Sequence, residues 1–372
     1  MTKTILILGT NAGQADLIRH MKDRGWRVIG ASPIPGEPGQ AYCDVVEPVN
    51  ITDLDALEIV ARKHAVDLIY SISSDVAIRS VVALSERMRL PHFYDTAFIN
   101  LLDNKADLRA FLNARSLSPV PFVQVRSVAE AVGWEHYPCI VKPTDAQGQR
   151  GVVRLDTPDG LAAAVGDAIS LSRSGQAIVE AFLDGVEVSC NVMICGGVTR
   201  LRILSERLVH AGIAVGLPQG HLIPAKHVSL VDQAAAVAQV DAIIAALGQT
   251  AGVMYFQMII TPYGPRVIEI APRLDGCHMW RLIKASHGVD LIQMTMDCLT
   301  GNAAIPVHTA MTDVTAMELM FQQQPAETAF DLAAFPVPAR AVYHEYRYGP
   351  GDIVRAVNGR LEVVGYYVRP SA

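Results

Sequence analysis

Pro138-Cys139-Ile140-Val141-Lys142-Pro143, then Thr144-Asp145-Ala146-Gln147-Gly148-Gln149-Arg150-Gly151, then Val152-Val153-Arg154-Leu155, is a β-rich run, a loop and a returning strand. A lysine near the end of a strand, beside a loop with two glycines, is what phosphate binding requires. The loop's backbone N–H groups can turn toward phosphate oxygens while Lys142 supplies a point charge. Glycine-rich hairpins beside a solvated lysine are common, so the segment by itself does not settle a function.

Two later segments add to it. Ala177-Ile178-Val179-Glu180-Ala181-Phe182-Leu183-Asp184-Gly185-Val186-Glu187 is an apolar strand running into a turn, flanked by Glu180 and Glu187. Glu187 could bridge ribose hydroxyls, and the backbone near Ala181 to Leu183 could meet an adenine edge. A strand with exposed acids is the plainer reading of the same residues. Val253 to Ile260 is a further strand, Pro262-Tyr263-Gly264 a turn, and Val267-Ile268-Glu269-Ile270 the returning strand. It leads into Ala271-Pro272-Arg273-Leu274-Asp275-Gly276-Cys277-His278. Glu269 sits in an otherwise apolar strand, where a carboxylate is expensive unless a cation or hydrogen bonds neutralise it. Mg²⁺ is one such partner, and Arg273 offers a planar fork for a phosphate or a carboxylate.

Upstream, short strands (Ile5 to Leu8, Trp26 to Ile29, Asp44 to Val49, Leu68 to Ile72) alternate with helices (to about Arg24, Asp53 to Lys63, Asp75 to Met88). That alternation predicts a doubly wound parallel sheet. The turn Gly9 to Gly13 lacks a complete Gly-x-Gly-x-x-Gly, and no acid follows the second strand, so a nicotinamide-dependent oxidoreductase is disfavoured. Asp103 to Leu117 reads as one helix, and Asp232 to Leu247 as another. Tyr343 to Tyr348 reads as an alternating strand. The tail reads as a hairpin, with Ile353 to Val357 and Leu361 to Val368 joined at Asn358-Gly359.

The 372 residues are too many for one ordinary compact domain, and a net charge of -6 argues against a nucleic-acid partner. With no secretory leader and no uninterrupted apolar run of bilayer length, the expectation is a cytoplasmic protein with no membrane partner. The six cysteines are scattered and read as reduced, packed thiols.

Taken together and in order, the segments resemble the ATP-grasp superfamily, in its carboxylate–amine ligase and carbamoyl-phosphate-synthase-like branch, over about Asp103 to Gly301. Asp103-Asn104-Lys105 with Leu108-Arg109 and Pro119-Val120-Pro121 looks like the family's entry helix. The resemblance implies an α/β fold with three parts: an N-terminal αβα domain (1–95), an ATP-grasp domain (96–305, lid about 120–190) and a C-terminal antiparallel β unit (306–372). It implies ATP and Mg²⁺ as cofactors. Lys105, Lys142, Gln147, Gly148 and Gly151 would meet the phosphates, Glu180, Ala181, Phe182 and Leu183 the adenine, and Glu187 the ribose. Glu269 with Gln257 would hold the metal, and Arg273 with Lys142 would act in catalysis. Two positions depart from the family: Gln257 stands where an acid is usual, and Ala271 where Asn is frequent. Gln257 offers a neutral amide oxygen, a weaker Mg²⁺ ligand than a carboxylate.

The implied reaction is ADP-forming ligation of a carboxylate to an amine through an acyl phosphate. The alternatives are a bicarbonate-using carboxylating or carbamoylating enzyme and an ATP-binding protein without ligase activity. Small-molecule substrates are expected to enter near Gly9 to Gly13 and Ser73-Ser74-Asp75, with His278, Trp280 and Arg281 in the same cleft. A homodimer is the expected assembly.

Overall fold

A computed structural model describes residues 2–146, 150–210, 216–302, 304–308, 314–356 and 361–371. The N-terminal part runs β1 (Thr4–Leu8), α1 (Ala12–Asp23), β2 (Arg27–Ala31), β3 (Val45–Glu47), α2 (Leu54–Lys63), β4 (Leu68–Tyr70) and α3 (Asp75–Met88). Its four strands are parallel in the order β3-β2-β1-β4. β1 is buried at all five positions, as a strand covered by helices on both faces must be.

α4 (Thr96–Asp103) and α5 (Lys105–Ala114) come next. The helix expected over Asp103 to Leu117 runs from Lys105 to Ala114, because Asn104, with extended backbone, caps α5 and its side chain accepts from the Ala106 and Asp107 N–H groups. An Asn-capped start satisfies amide donors that a continuous helix would have bonded internally. That start leaves Lys105 in the first turn of α5.

Beyond α5 lies a small antiparallel sheet of β5 (Phe122–Val125), β6 (Cys139–Pro143), β7 (Val153–Leu155) and β8 (Ala177–Ala181), ordered β5-β8-β6-β7. It is backed by α6 (Leu161–Leu171). The side chains of Cys139, Val141, Ala177 and Val179 form its core with Ala164, Val165 and Ala168. By strand alternation the intervening Ile140, Lys142, Ile178 and Glu180 face the other way.

The large sheet takes in β9 (Val186–Cys195), β10 (Val198–Val209), β11 (Pro218–Ile223), β12 (Gly252–Thr261), β13 (Gly264–Ala271), β14 (Met317–Pro325), β15 (Tyr343–Tyr346) and β16 (Leu361–Pro370). Its order is β13-β12-β9-β10-β11-β14-β16-β15. The antiparallel strands of the tail thus extend the same sheet through β11. α7 (Leu230–Leu247) covers one face, while α8 (Met279–His287) and α9 (Leu291–Leu299) lie toward the N-terminal sheet. α7 has the length and mean hydropathy of a bilayer-crossing helix, yet it packs on β10, β12 and β13 and carries Asp232 and Asp241.

Two sequence expectations are corrected. The strand expected from Ile353 is absent over its described residues; Ile353 makes one isolated bridge to Ala329. Both edges of β16 are occupied by β14 and β15, so no edge remains for that segment. The Asn358-Gly359 turn lies outside the described residues. Nor are all six cysteines free: Cys195 and Cys298 form a disulfide with Cα atoms 6.0 Å apart. The end of β9 packs on α9, a contact across 103 residues that no local pattern announces.

Candidate active site

One face of the large sheet changes character along its strands. Met193, Leu201, Ile203 and Val253 pack into the main core beside the N-terminal sheet. Farther along the same alternating rows come Asn191, Ser189 and Glu187 on β9, Ser205 and Arg207 on β10, and Tyr255 and Gln257 on β12. The opposite rows, including Val188, Cys190, Val192, Met254, Phe256 and Met258, remain apolar under α7. A strand that is apolar on one face throughout, but switches to polar on the other, is building a wet cleft over a dry floor.

Gln257 and Glu269, the two expected metal ligands, are direct cross-strand partners on β12 and β13, beside a β-bulge. The Glu269 carboxylate has no hydrogen bond or ion pair among the described residues, although Arg273 lies close enough to feel its charge. Gln257 spends its amide N–H₂ on Glu187 at 3.1 Å, which leaves its carbonyl oxygen as the acceptor. A half-buried carboxylate without a cation beside a free amide oxygen fits Mg²⁺, which takes oxygen ligands.

Opposite stand the two lysines. Lys142 pairs diagonally across β6 and β8 with Glu180, and Arg109 on α5 closes on the same carboxylate at 3.2 Å. All three side chains are buried. Burial pushes the Lys142 ammonium below its ordinary value, against the pull of Glu180. Burial also opposes the Glu180 charge, but Lys142 and Arg109 outweigh it and hold the carboxyl below the usual range. With two cations and one anion, the triad carries a net positive charge, which suits a phosphate. The Glu180 carboxylate is thereby turned to these cations. Lys105 donates from Nζ to Ala146 O at 2.7 Å, at the start of the glycine-containing loop.

Of that loop, Gln147 and Gly148 lie outside the described residues. Gly151 has φ +72, and a Cβ there would meet Leu171 Cδ1 at 2.8 Å and Pro143 at 3.0 Å, so turn geometry and close packing both call for glycine. In the expected adenine segment, the Ala181 N–H donates to Pro121 O at 3.0 Å and the Phe182 N–H to Pro138 O at 2.9 Å. Both donors are engaged within the small sheet, while Leu183 is half-buried just beyond it. The Arg154 guanidinium lies 4.1 Å over the Phe182 ring. Glu187, expected at the ribose, is ion-paired with its cross-strand neighbour Arg207.

Arg273 spends its fork on Asp75 at the start of α3: Nε and Nη2 reach the two carboxylate oxygens, the latter at 2.7 Å, while Nη1 donates to Leu274 O. This clamp ties the sheet's end to the N-terminal part. Asp75, Lys105 and Glu269 line one small pocket. A larger cleft of about 840 Å³ is lined by Asn11, Gly13, Ser73, Gly276, His278 and Arg347, among others. It opens at the carboxyl ends of the N-terminal strands, where ligands of open α/β sheets sit. His278 thus lies in the cleft, in the left-handed region (φ 57), with Nε2 3.2 Å from Arg347 Nη2. Trp280 and Arg281 do not line it; both hydrogen-bond Asp16 and brace α8 against α1.

Arg207 was not among the expected site residues, Arg109 entered only as part of the entry-helix motif, and Asp75 was expected at the substrate entrance rather than as the partner of Arg273. Arg109 has a weak signal, a lone cation among Leu108 and Leu112 on an apolar helix face, but its partner is 71 residues away.

A family model described as an ATP-grasp domain matches residues 102–277. The chain is 29% identical over 189 residues to a formate-dependent phosphoribosylglycinamide formyltransferase of a Synechococcus species, covering 49% of this chain and 47% of that protein. It therefore spans about half the length of the curated relatives it matches. Among solved structures, an L-amino acid ligase from Bacillus licheniformis superposes with a TM-score of 0.85 at 17% identity, over 99% of this chain and 93% of that one. A phosphoribosylglycinamide synthetase from Anaerococcus prevotii superposes with a TM-score of 0.76 at 16% identity, over 99% and 94%. At such identities the likeness establishes the fold.

Proposed function

Because residues 102–277 match a family model described as an ATP-grasp domain, we propose that this chain is an ADP-forming, Mg²⁺-dependent carboxylate–amine ligase. The observation that carries the reading is the pairing of Glu269 on the large sheet, which has no hydrogen bond or ion pair among the described residues, with a surplus of buried positive charge where α5 meets the small one. Nucleotide bound between them supplies the phosphoryl group and, with Mg²⁺, the charges that both sheets lack.

Each side chain then has a role. Glu269 and the Gln257 carbonyl oxygen hold the cation. Lys142, backed by Arg109 and oriented by Glu180, offers its ammonium to phosphate oxygens, and Lys105 approaches from α5. Gln147, Gly148 and Gly151 would meet the phosphates, and Ala181 to Leu183 would border the base, with Glu187 toward the ribose. Transfer of the terminal phosphoryl group to a substrate carboxylate leaves ADP and gives an acyl phosphate. The amine then attacks the acyl carbon, loses a proton, and phosphate departs. Arg273, held by Asp75 and one residue along from Pro272 in the lining of the smaller pocket, would stabilise the charge developing on the acyl phosphate once substrate draws its guanidinium from Asp75. Such catalysis rests on positioning and charge neutralisation.

The cleft of about 840 Å³ beside His278 has room for an organic substrate, which favours ligation over simple bicarbonate activation. Cytoplasmic location and a homodimer complete the reading. In the test, the protein is incubated with MgATP and pooled carboxylates, amines and bicarbonate, and ADP, AMP and phosphate are assayed with mass spectrometry of the mixture. ADP formation that needs both a carboxylate and an amine, and is lost in Lys142→Ala, supports the ligase. Dependence on bicarbonate replaces it with the carboxylating reaction, and AMP as product refutes the acyl phosphate route.

A further inference from the structure

Beside Gly276, which lines the larger cleft, three ligand-type side chains from distant parts of the chain converge. His221 on β11 and Asp275 and Cys277 after β13 each bring one donor atom within 4.8 Å of the other two. His221 is fully buried and Asp275 nearly so. His221 Nδ1 lies 3.3 Å from Ser205 Oγ, and its Nε2 has no partner among the described residues. Asp275 Oδ1 accepts the Cys277 N–H at 2.9 Å, which fixes both residues on one side of the turn, while Asp275 Oδ2 is buried and unpartnered. Two orphaned polar atoms in so dry a place are costly unless a third group satisfies them.

We propose that His221, Asp275 and Cys277 form a binding site for a zinc-class divalent cation, separate from the Mg²⁺ ligands Gln257 and Glu269. One nitrogen, one oxygen and one sulfur donor suit zinc, whereas Mg²⁺ takes oxygens. Tetrahedral ligation needs donors roughly 3.5 Å apart, so modest closure of the cluster suffices. The Ser205 hydroxyl plays the usual outer role: accepting Nδ1–H, it leaves the Nε2 lone pair for the metal.

The charges also close. Arg207 is the cross-strand neighbour of His221 but is paired with Glu187, and Arg273 is paired with Asp75. Asp275 feels the charge of both arginines but makes no ion pair with either among the described residues. A divalent ion bound to neutral imidazole, thiolate and carboxylate displaces the thiol proton and makes the buried cluster neutral overall. Three protein ligands leave a fourth position for water or a donor atom of the substrate in the cleft, which Gly276 lines between two of the ligands.

The test uses the full chain, stripped with chelator and then titrated with Zn²⁺ or Co²⁺ in excess Mg²⁺. Expected are one zinc per chain by elemental mass spectrometry after gel filtration, and a near-ultraviolet thiolate-to-cobalt charge-transfer band. Cys277→Ser should abolish the band. His221→Gln and Asp275→Asn should weaken zinc binding by roughly 10-fold or more, with circular dichroism verifying their fold, while Glu269→Gln should leave it intact. Zinc below one per chain, displacement by Mg²⁺, or a band that survives Cys277→Ser overturns the proposal. Because metal content is read without turnover, failure of the ligase assay leaves this result standing, and the converse holds.

Discussion

The triad Arg109–Glu180–Lys142 yields an asymmetric prediction. Its three charges sum to one positive, and all three side chains are buried. Glu180→Ala removes the only anion and leaves two cations facing each other out of water. Stranding a buried charge in this way costs roughly 3–5 kcal/mol. Lys142→Met instead removes the surplus charge: Arg109 still neutralises Glu180 at 3.2 Å, and the apolar stem remains. Replacing part of a buried ionic group with a similar apolar volume is often neutral, so stability should stay within about 1 kcal/mol of wild type. Amide hydrogen exchange in β6 and β8 reads the local free energy. Exchange there should accelerate by about 10²–10⁴-fold in Glu180→Ala and by less than about 10-fold in Lys142→Met. Added MgATP should slow that exchange in the wild type but not in Lys142→Met, whose nucleotide turnover should be lost. If Lys142→Met loosens the small sheet as much as Glu180→Ala, the charge argument fails, because the lysine would then be a structural partner rather than spare charge.

Three further outcomes are expected. Glu269→Gln removes a carboxylate with no partner of its own, so the melting temperature should hold while ADP release falls by roughly 10²-fold or more, the scale of one preorganised electrostatic group. Arg273→Lys keeps the charge but loses the two-pronged grip on Asp75; turnover should fall with little change in ATP affinity, whereas loss of ATP binding in equilibrium titration would move Arg273 to the nucleotide. Asp290 caps α9, accepting from the Gln293 N–H at 3.0 Å and pairing with Lys284 at 2.9 Å; burial opposes its charge, but these partners prevail and depress its carboxyl. A depressed acid stabilises the fold above its unfolded value near 3.9, and that contribution fades as pH falls through the folded value. Asp290→Ala should therefore cost about 1 kcal/mol at pH 7 and progressively less below about pH 4 in urea unfolding, whereas a pH-independent cost would exclude the ionised cap.

The sequence alone carried the parts that depend on short-range order. Strand–helix alternation announced the parallel sheet, because each element must cover its own apolar face within a few dozen residues. Lys142 beside its glycine loop, and Glu269 in an apolar strand, stood out because a charge in such surroundings needs a partner. What the local pattern left open was which partner. Lys142 meets Glu180 and Arg109, Arg273 meets Asp75, and β11 joins the tail to the central sheet, all across separations set by topology rather than by periodicity. The Asn358-Gly359 signal promised a hairpin for Leu361 to Val368, yet both edges of that strand are taken by β14 and β15, and edge pairing outweighs turn chemistry. His221 and Cys277 lie 56 residues apart, and each alone reads as an ordinary packed side chain. Only the folding of β11 against the turn after β13 makes them a potential ligand set, because convergence of donor atoms is a property of space and not of sequence.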